Sequence, residues 1–234
     1  VCAGFLTAGS LAKWASLDLT DVMKLAWRRY LRLAIPLMAA LSFTVLVTEW
    51  IRPDFEHASL SAPPDWGQAL AHVVLLQHIM GLDALSAGVW YVAIDFQLYV
   101  MVLLSLVLVK AFHFNPSVLN SSSAWRWGFW LLLTCCSLWW WNLQTHLDDH
   151  GIYFFGFYGL GLLAWEARRR HQEQTGRVVW SLWSASLLLL ILGGVAWWLS
   201  PRLRVVTACG VACLLIWMPA GWFSCGPRRS PWLQ

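Results

Sequence analysis

Charge is what this sequence has least of. Asp, Glu, Lys and Arg make up 12% of its 234 residues, about half of the roughly 25% found in soluble domains. A chain so poor in charge, with 59% hydrophobic residues, reads as an integral membrane protein. Several enzyme signatures are also missing: there is no GxSxG, no P-loop, no HExxH, and no residue stands out as a nucleophile. The six cysteines (Cys2, Cys135, Cys136, Cys209, Cys213 and Cys225) lie mostly within apolar runs. Their spacings fit neither a zinc site nor a disulfide framework, so they read as small core residues. No basic stretch precedes the first apolar run, so that run is not expected to be a signal peptide. No internal repeat appears, and the only biased stretch is NSSSAW.

Long apolar runs and tryptophan are abundant. The runs cover residues 1–11, 33–50, 89–109, 127–141, 152–165, 178–199 and 205–223. The 19 tryptophans suit a bilayer, whose interfaces concentrate Trp. Residues 66–80 are ambiguous, being short and carrying His72, Gln77 and His78. Lys and Arg in the loops decide the matter. If 66–80 does not cross, 13 of the 16 lysines and arginines fall on one side and only Arg52, Arg202 and Arg204 on the other. If it crosses, the split becomes seven against nine and the bias vanishes. The expected fold is therefore all-α: a polytopic transmembrane bundle of about seven crossings plus one short interfacial or re-entrant helix. The loop of residues 13–32 and the stretch EARRRHQEQTGR face the cytoplasm, and the HLDDH loop faces outward. The net charge of +4 belongs to those basic loops rather than to a nucleic-acid surface. VCAGFLTAGSLAKW reads as the tail of a longer helix and CGPRRSPWLQ stops after a basic turn, so residues 1–234 are expected to form a single transmembrane domain, cut at both ends.

A few polar groups interrupt the apolar runs. Asp95 sits about 9 Å inside the helix of 89–109, at 1.5 Å per residue, where a charge costs roughly 2.5–3.5 kcal/mol at the bilayer centre. Tyr91, Asp95 and Tyr99 follow i, i+4, i+8 spacing and form one stripe, with Trp90 and Gln97 on another. Two readings stand: a structural hydrogen-bonded knot, or an acid that orients a reacting group. Arg28, Arg29 and Arg32 share one side of a helix by their spacing. They serve either as positive-inside anchors or as guanidinium forks for phosphates. Pro36 then loosens that helix just inside the membrane. His146, Asp148, Asp149 and His150 read as a solvated loop, His72 and His78 as satisfied interface histidines, and Arg168, Arg169, Arg170 and His171 as an anchor or lipid-phosphate contact. No metal site is expected.

Three stretches in order, VCAGFLTA, WRRYLRLAIP and VWYVAIDFQLYV, resemble the signatures of the acyltransferase 3 family of integral membrane acyltransferases. These signatures are a run ending Ser-Gly-Phe-Leu, a basic Arg-x-x-Arg, Arg-Leu, Pro motif, and Trp-Ser-Leu-x-x-Glu-x-Gln-Phe-Tyr. YFFGFYGLGLLAWEARRR is similar to a later helix of the family. Ala3 stands where the family commonly has Ser, and Asp95 where it commonly has Glu. The resemblance implies transfer of a small acyl group, as in O-acetylation, from cytoplasmic acyl-CoA to a hydroxyl of an extracytoplasmic carbohydrate or glycolipid of the cell envelope. Acyl-CoA is then a co-substrate, with no bound cofactor. Asp95, Gln97 and Tyr99 become the catalytic set, Arg28, Arg29 and Arg32 the donor-binding set, and Trp90 and Tyr91 supports. The implied location is a bacterial inner (plasma) membrane. The family histidine falls upstream of Val1 and a Ser-Tyr-x-x-Tyr-Leu-x-His helix after SPWLQ, so the stretch alone is expected to be inactive. The competing reading is a multi-helix transporter or flippase for a lipid-linked sugar or small polar solute, which inverted repeats would favour.

Overall fold

The computed structural model describes residues 1–14, 17–53, 65–82, 84–85, 88–112, 122–173 and 182–218. Arg177, Arg228, Arg229 and Cys225, counted above, lie outside the described residues. Eight α-helices follow one another: α1 (Cys2–Leu11), α2 (Leu19–Ile51), α3 (Trp66–Val73), α4 (Val89–Phe112), α5 (Ser122–Trp139), α6 (Gly151–Glu173), α7 (Leu182–Leu199) and α8 (Leu203–Trp217). Two short 3-10 turns, Trp141–Leu143 and Thr145–Leu147, join α5 to α6, and no strand occurs among the described residues. Among the described residues three helices are long and apolar enough to cross a membrane: Leu19–Ile51, Val89–Ala111 and Leu182–Leu199. Cys2–Leu11 and Leu203–Trp217 are shorter apolar helices.

Two features differ from a simple division into runs and loops. α2 begins at Leu19, so the arginines expected in a loop belong to a 33-residue helix, about 50 Å long. Asp18 starts it, its N–H reaching the Asp21 carboxylate at 3.5 Å, and Met, Lys, Leu, Ala and Arg then continue it as good helix formers. The helix runs through Pro36 without ending. The ambiguous 66–80 region holds only the eight residues of α3, about 12 Å, far short of the roughly 30 Å of a hydrocarbon core. His72 is buried there and fully partnered. Its Nδ1 lies 2.8 Å from the Gln68 carbonyl and its Nε2 accepts from Leu85 N–H at 3.1 Å.

α6 is the central helix. Fourteen of its 23 residues are buried, spread around its circumference, as expected of a helix enclosed by others. Its glycines let neighbours approach at backbone distance. A Cβ on Gly161 would lie 2.0 Å from the Val1 carbonyl oxygen of the chain entering α1, and one on Gly4 would lie 2.0 Å from the Tyr158 carbonyl oxygen. Lipid offers helices no hydrophobic drive to associate, so close packing at small residues supplies the attraction. α5 packs antiparallel on α6, and the Ser137 hydroxyl donates to the Ile152 carbonyl at 2.8 Å while accepting from Gly156 N–H at 2.7 Å. α7 and α8 form a second antiparallel pair, with Cys209 against Gly193 and the Trp217 indole donating to Ser186 at 3.1 Å. Only Cys209 of the described cysteines is a buried core residue, and Cys2 is exposed. Trp50, Trp66 and Trp198, more than three-quarters exposed at helix ends, have the placement of an interfacial aromatic belt.

Gly161→Val should therefore lower stability by about 3 kcal/mol, at the upper end for overpacking, because backbone cannot yield as a side chain can. Gly194→Ala, with nothing within 4 Å of the added Cβ, should be neutral or slightly stabilising through helix propensity. Thermal midpoints of the two purified variants in one detergent check the contrast; equal midpoints would refute the backbone contact.

Candidate functional site

α2 and α4 run antiparallel. Lys110 at the end of α4 pairs with Asp18 before α2 at 2.5 Å, and at the other end Val89 packs near Leu41. Between these contacts the helices bring Arg29 to Asp95. Nη2 of Arg29 donates to Oδ2 of Asp95 at 2.6 Å. The side chains are 25% and 10% exposed, so most of the hydration of both charges is gone and the pair must replace it. The guanidinium also lies over the ring of buried Tyr99, 5.2 Å from its centroid, a cation–π contact worth about 0.5–2 kcal/mol. One turn of helix separates Asp95 from Tyr99, so both meet the same arginine. Arg29 Nε is buried without a protein partner, leaving one N–H of the fork uncommitted.

The helices behind this pair complete the surroundings. Tyr158 of α6 is buried, exchanges a 2.6 Å hydrogen bond with Thr7 of α1, and feels the charges of both Asp95 and Arg29. On the next face of α4, Gln97 Oε1 accepts from Gly151 N–H at 2.8 Å, while Trp90 lies 5.9 Å from Phe154 and meets Tyr91 edge-on. Asp95, Tyr99 and Arg29 thus converge. Arg28 and Arg32 are exposed on α2, and Tyr91 is 58% exposed. The spacing that puts three arginines on one side of a helix does not make them equivalent: of the three, it is Arg29 that pairs with Asp95 of α4.

Two further polar clusters hold the bundle ends. Glu166, with no exposed side-chain surface, receives Arg126 at 3.1 Å, Arg169 at 2.5 Å and Arg170 at 3.2 Å. The RRRH stretch is therefore partly internal, and Arg168 donates to the Leu215 carbonyl at 3.3 Å. At the opposite end, Tyr153 Oη accepts from Arg202 at 2.9 Å and from Arg204 at 2.5 Å, and Arg202 also donates to the Asn142 carbonyl at 2.9 Å. Sequence reasoning missed Tyr158 and Thr7, and nothing in the spacing marks two residues 151 positions apart as partners. It missed Glu166 too, although Arg169 and Arg170 follow it at i+3 and i+4 and could have marked it. In the HLDDH turn, His146, Asp148 and Asp149 are exposed, and Asp149 lies 3.5 Å from His78.

What the described residues form is an all-helical bundle with three membrane-length helices and a buried acid–guanidinium pair at the junction of α2 and α4. No family model matches the chain, and no curated protein or solved structure matches it.

A buried ion pair is costly to break and cheap to replace. Asp95→Leu alone should destabilise the protein by about 2–3 kcal/mol, less than a fully enclosed pair because Arg29 keeps a quarter of its surface open. Arg29→Met together with Asp95→Leu should recover most of that loss. Thermal unfolding of both single variants and the double variant gives the coupling energy, and additive losses would contradict the pairing.

Proposed function

We propose that this chain is a membrane O-acyltransferase domain, moving a small acyl group from acyl-CoA to a hydroxyl of an extracytoplasmic carbohydrate or glycolipid. The observation that supports this reading most is the Arg29–Asp95 contact at 2.6 Å. It draws together two of the stretches that resemble the acyltransferase 3 family, while Thr7 of the third reaches Tyr158 beside them. In this reading the hydroxyl oxygen attacks the thioester carbon, the C–O bond forms, the C–S bond breaks, and CoA leaves as the thiol. Negative charge gathers on the thioester oxygen, and N–H donors aimed there lower the barrier. Arg29 is suited to that task because Asp95 and the Tyr99 ring fix its plane while Nε stays uncommitted. Asp95 is then a positioning residue for Arg29. A general base takes up the hydroxyl proton as the C–O bond forms.

The layout that goes with this function has about seven crossings, with α3 lying at the outer face and the Glu166 cluster at the cytoplasmic face of a bacterial inner membrane. The charge asymmetry supports it. Exposed Arg28 and Arg32 then remain on hand for the phosphates of the donor.

Asp95→Asn should reduce acyl transfer per inserted protein by about 100-fold or more, the scale of losing one oriented electrostatic group. Arg29→Lys should cut it by a similar factor, because an ammonium keeps the charge but loses the fork. The assay follows labelled acyl groups from acyl-CoA into the envelope fraction of cells expressing the protein. An Asn variant of wild-type activity would end the acyltransferase role of this pair and favour the transporter reading.

Topology has its own test. Single cysteines at His171 and Asp148, both exposed, should react with an impermeant maleimide from opposite sides, with Asp148→Cys labelled in intact cells. Labelling of both from outside would exclude the seven-crossing layout.

A further inference from the structure

Beside the ion pair, on another face of α4, lies a pocket of about 350 Å³ walled by α4, the start of α6 and the turn after α3. Its size falls within the roughly 300–1,000 Å³ of small-molecule sites. Phe96, Val100, Met101, Leu75, Leu76 and Ile152 form its apolar walls. Leu76 is 42% exposed and Phe96, Val100 and Met101 are half-buried, so on a membrane-spanning α4 the pocket opens sideways towards lipid.

Two independent features separate this pocket from a packing defect. Leu75, buried in its wall, has φ of +59°. Bulky residues rarely adopt that left-handed conformation, and such strain collects at ligand sites. Two polar residues also line it, and each has hydrogen-bonding capacity left over. Gln97 Oε1 is taken by Gly151 N–H, but Gln97 Nε2 has no partner, and His150 Nδ1 has none either. Both sit at one end, around Gly151. From there the apolar wall continues one helical turn along α4 through Val100 and Met101.

We propose that this pocket is a lateral binding site for a membrane amphiphile with an uncharged, hydroxyl-bearing head. The head belongs at Gln97 and His150, where a hydroxyl both accepts from the amide N–H and pairs with the imidazole nitrogen in either tautomer. The chain runs along Val100 and Met101. Among the described residues no Lys or Arg lines the pocket, so it offers a phosphate no permanent positive charge. A glycoside or glycerol head satisfies these conditions, and a phospholipid head does not. The site stands apart from the Arg29–Asp95 pair and holds whether or not the chain transfers acyl groups.

The test uses the chain in phosphatidylcholine nanodiscs, titrated with octyl glucoside below its micelle concentration and followed by native mass spectrometry. One saturable adduct is expected. Gln97→Leu with His150→Leu should weaken its Kd at least tenfold, and Val100→Trp, which fills the pocket, should abolish it. Helical circular dichroism of each variant is the folding control. If Val100→Trp fails to fold, Met101→Phe, a smaller filling change, takes its place and should weaken binding at least tenfold. Unchanged affinity in the double Leu variant overturns the site, as does a folded pocket-filling variant that binds normally. Equal affinity for octyl phosphocholine, lost in the same variants, overturns the neutral-head assignment.

Discussion

The bundle depends on how closely the backbone of α1 approaches that of α6. Gly4 and Gly161 leave room for carbonyl oxygens where any side chain would collide. That distance sets the position of α1, hence of Thr7, and hence of Tyr158 behind the α2–α4 junction. The remaining contacts around α6 follow one pattern. Ser137 bonds the backbone at the first turn of α6, and Glu166 draws in three arginines near its last. A helix buried on all sides with polar fastenings at both ends has little freedom to slide or rotate, and close packing of this kind resists small displacements. α2 and α4 rest against this fixed centre.

The Arg29–Asp95 pair shows how one costly group can be offset by another. Each charge alone inside an apolar helix would be strongly unfavourable; together, with Tyr99 beneath the guanidinium, they are tolerated. Such pairs seldom add net stability over apolar replacements. Their presence is better explained by the geometry they impose. An arginine held at both a carboxylate and an aromatic face keeps a single orientation, which a flexible side chain on a lone helix cannot do.

Much of the architecture was legible in the sequence because membrane helices advertise themselves through apolar length. The helical class, the long spans around α2, α4 and α7, and the shortness of the 66–80 segment all followed from run length and charge placement. The start of α2 was not legible, because residues 19–32 are polar enough to read as loop while still being good helix formers. The site was legible in half. Asp95 and Tyr99 share a helix face by simple spacing, but their partner comes from a position 66 residues away. Placing Arg29 at one membrane face and Asp95 near the other followed from treating loops as polar and spans as apolar. The structure puts the two side by side because α2 carries Arg29 into the bundle, where it meets α4.

α2 is about 50 Å long, and a hydrocarbon core is about 30 Å thick. Its last turns carry Phe43, Leu46 and Trp50 with at least 70% of their surface uncovered. A rod this much longer than a hydrocarbon core must, on crossing one, either lean or protrude, and its lean is set by packing against neighbouring helices and by interfacial anchors such as Trp50. Arg29 rides on that rod and Asp95 on a shorter one, so a change in lean acts along the line joining them. Two ion pairs, Arg29–Asp95 and Lys110–Asp18, tie the rods together and resist that movement.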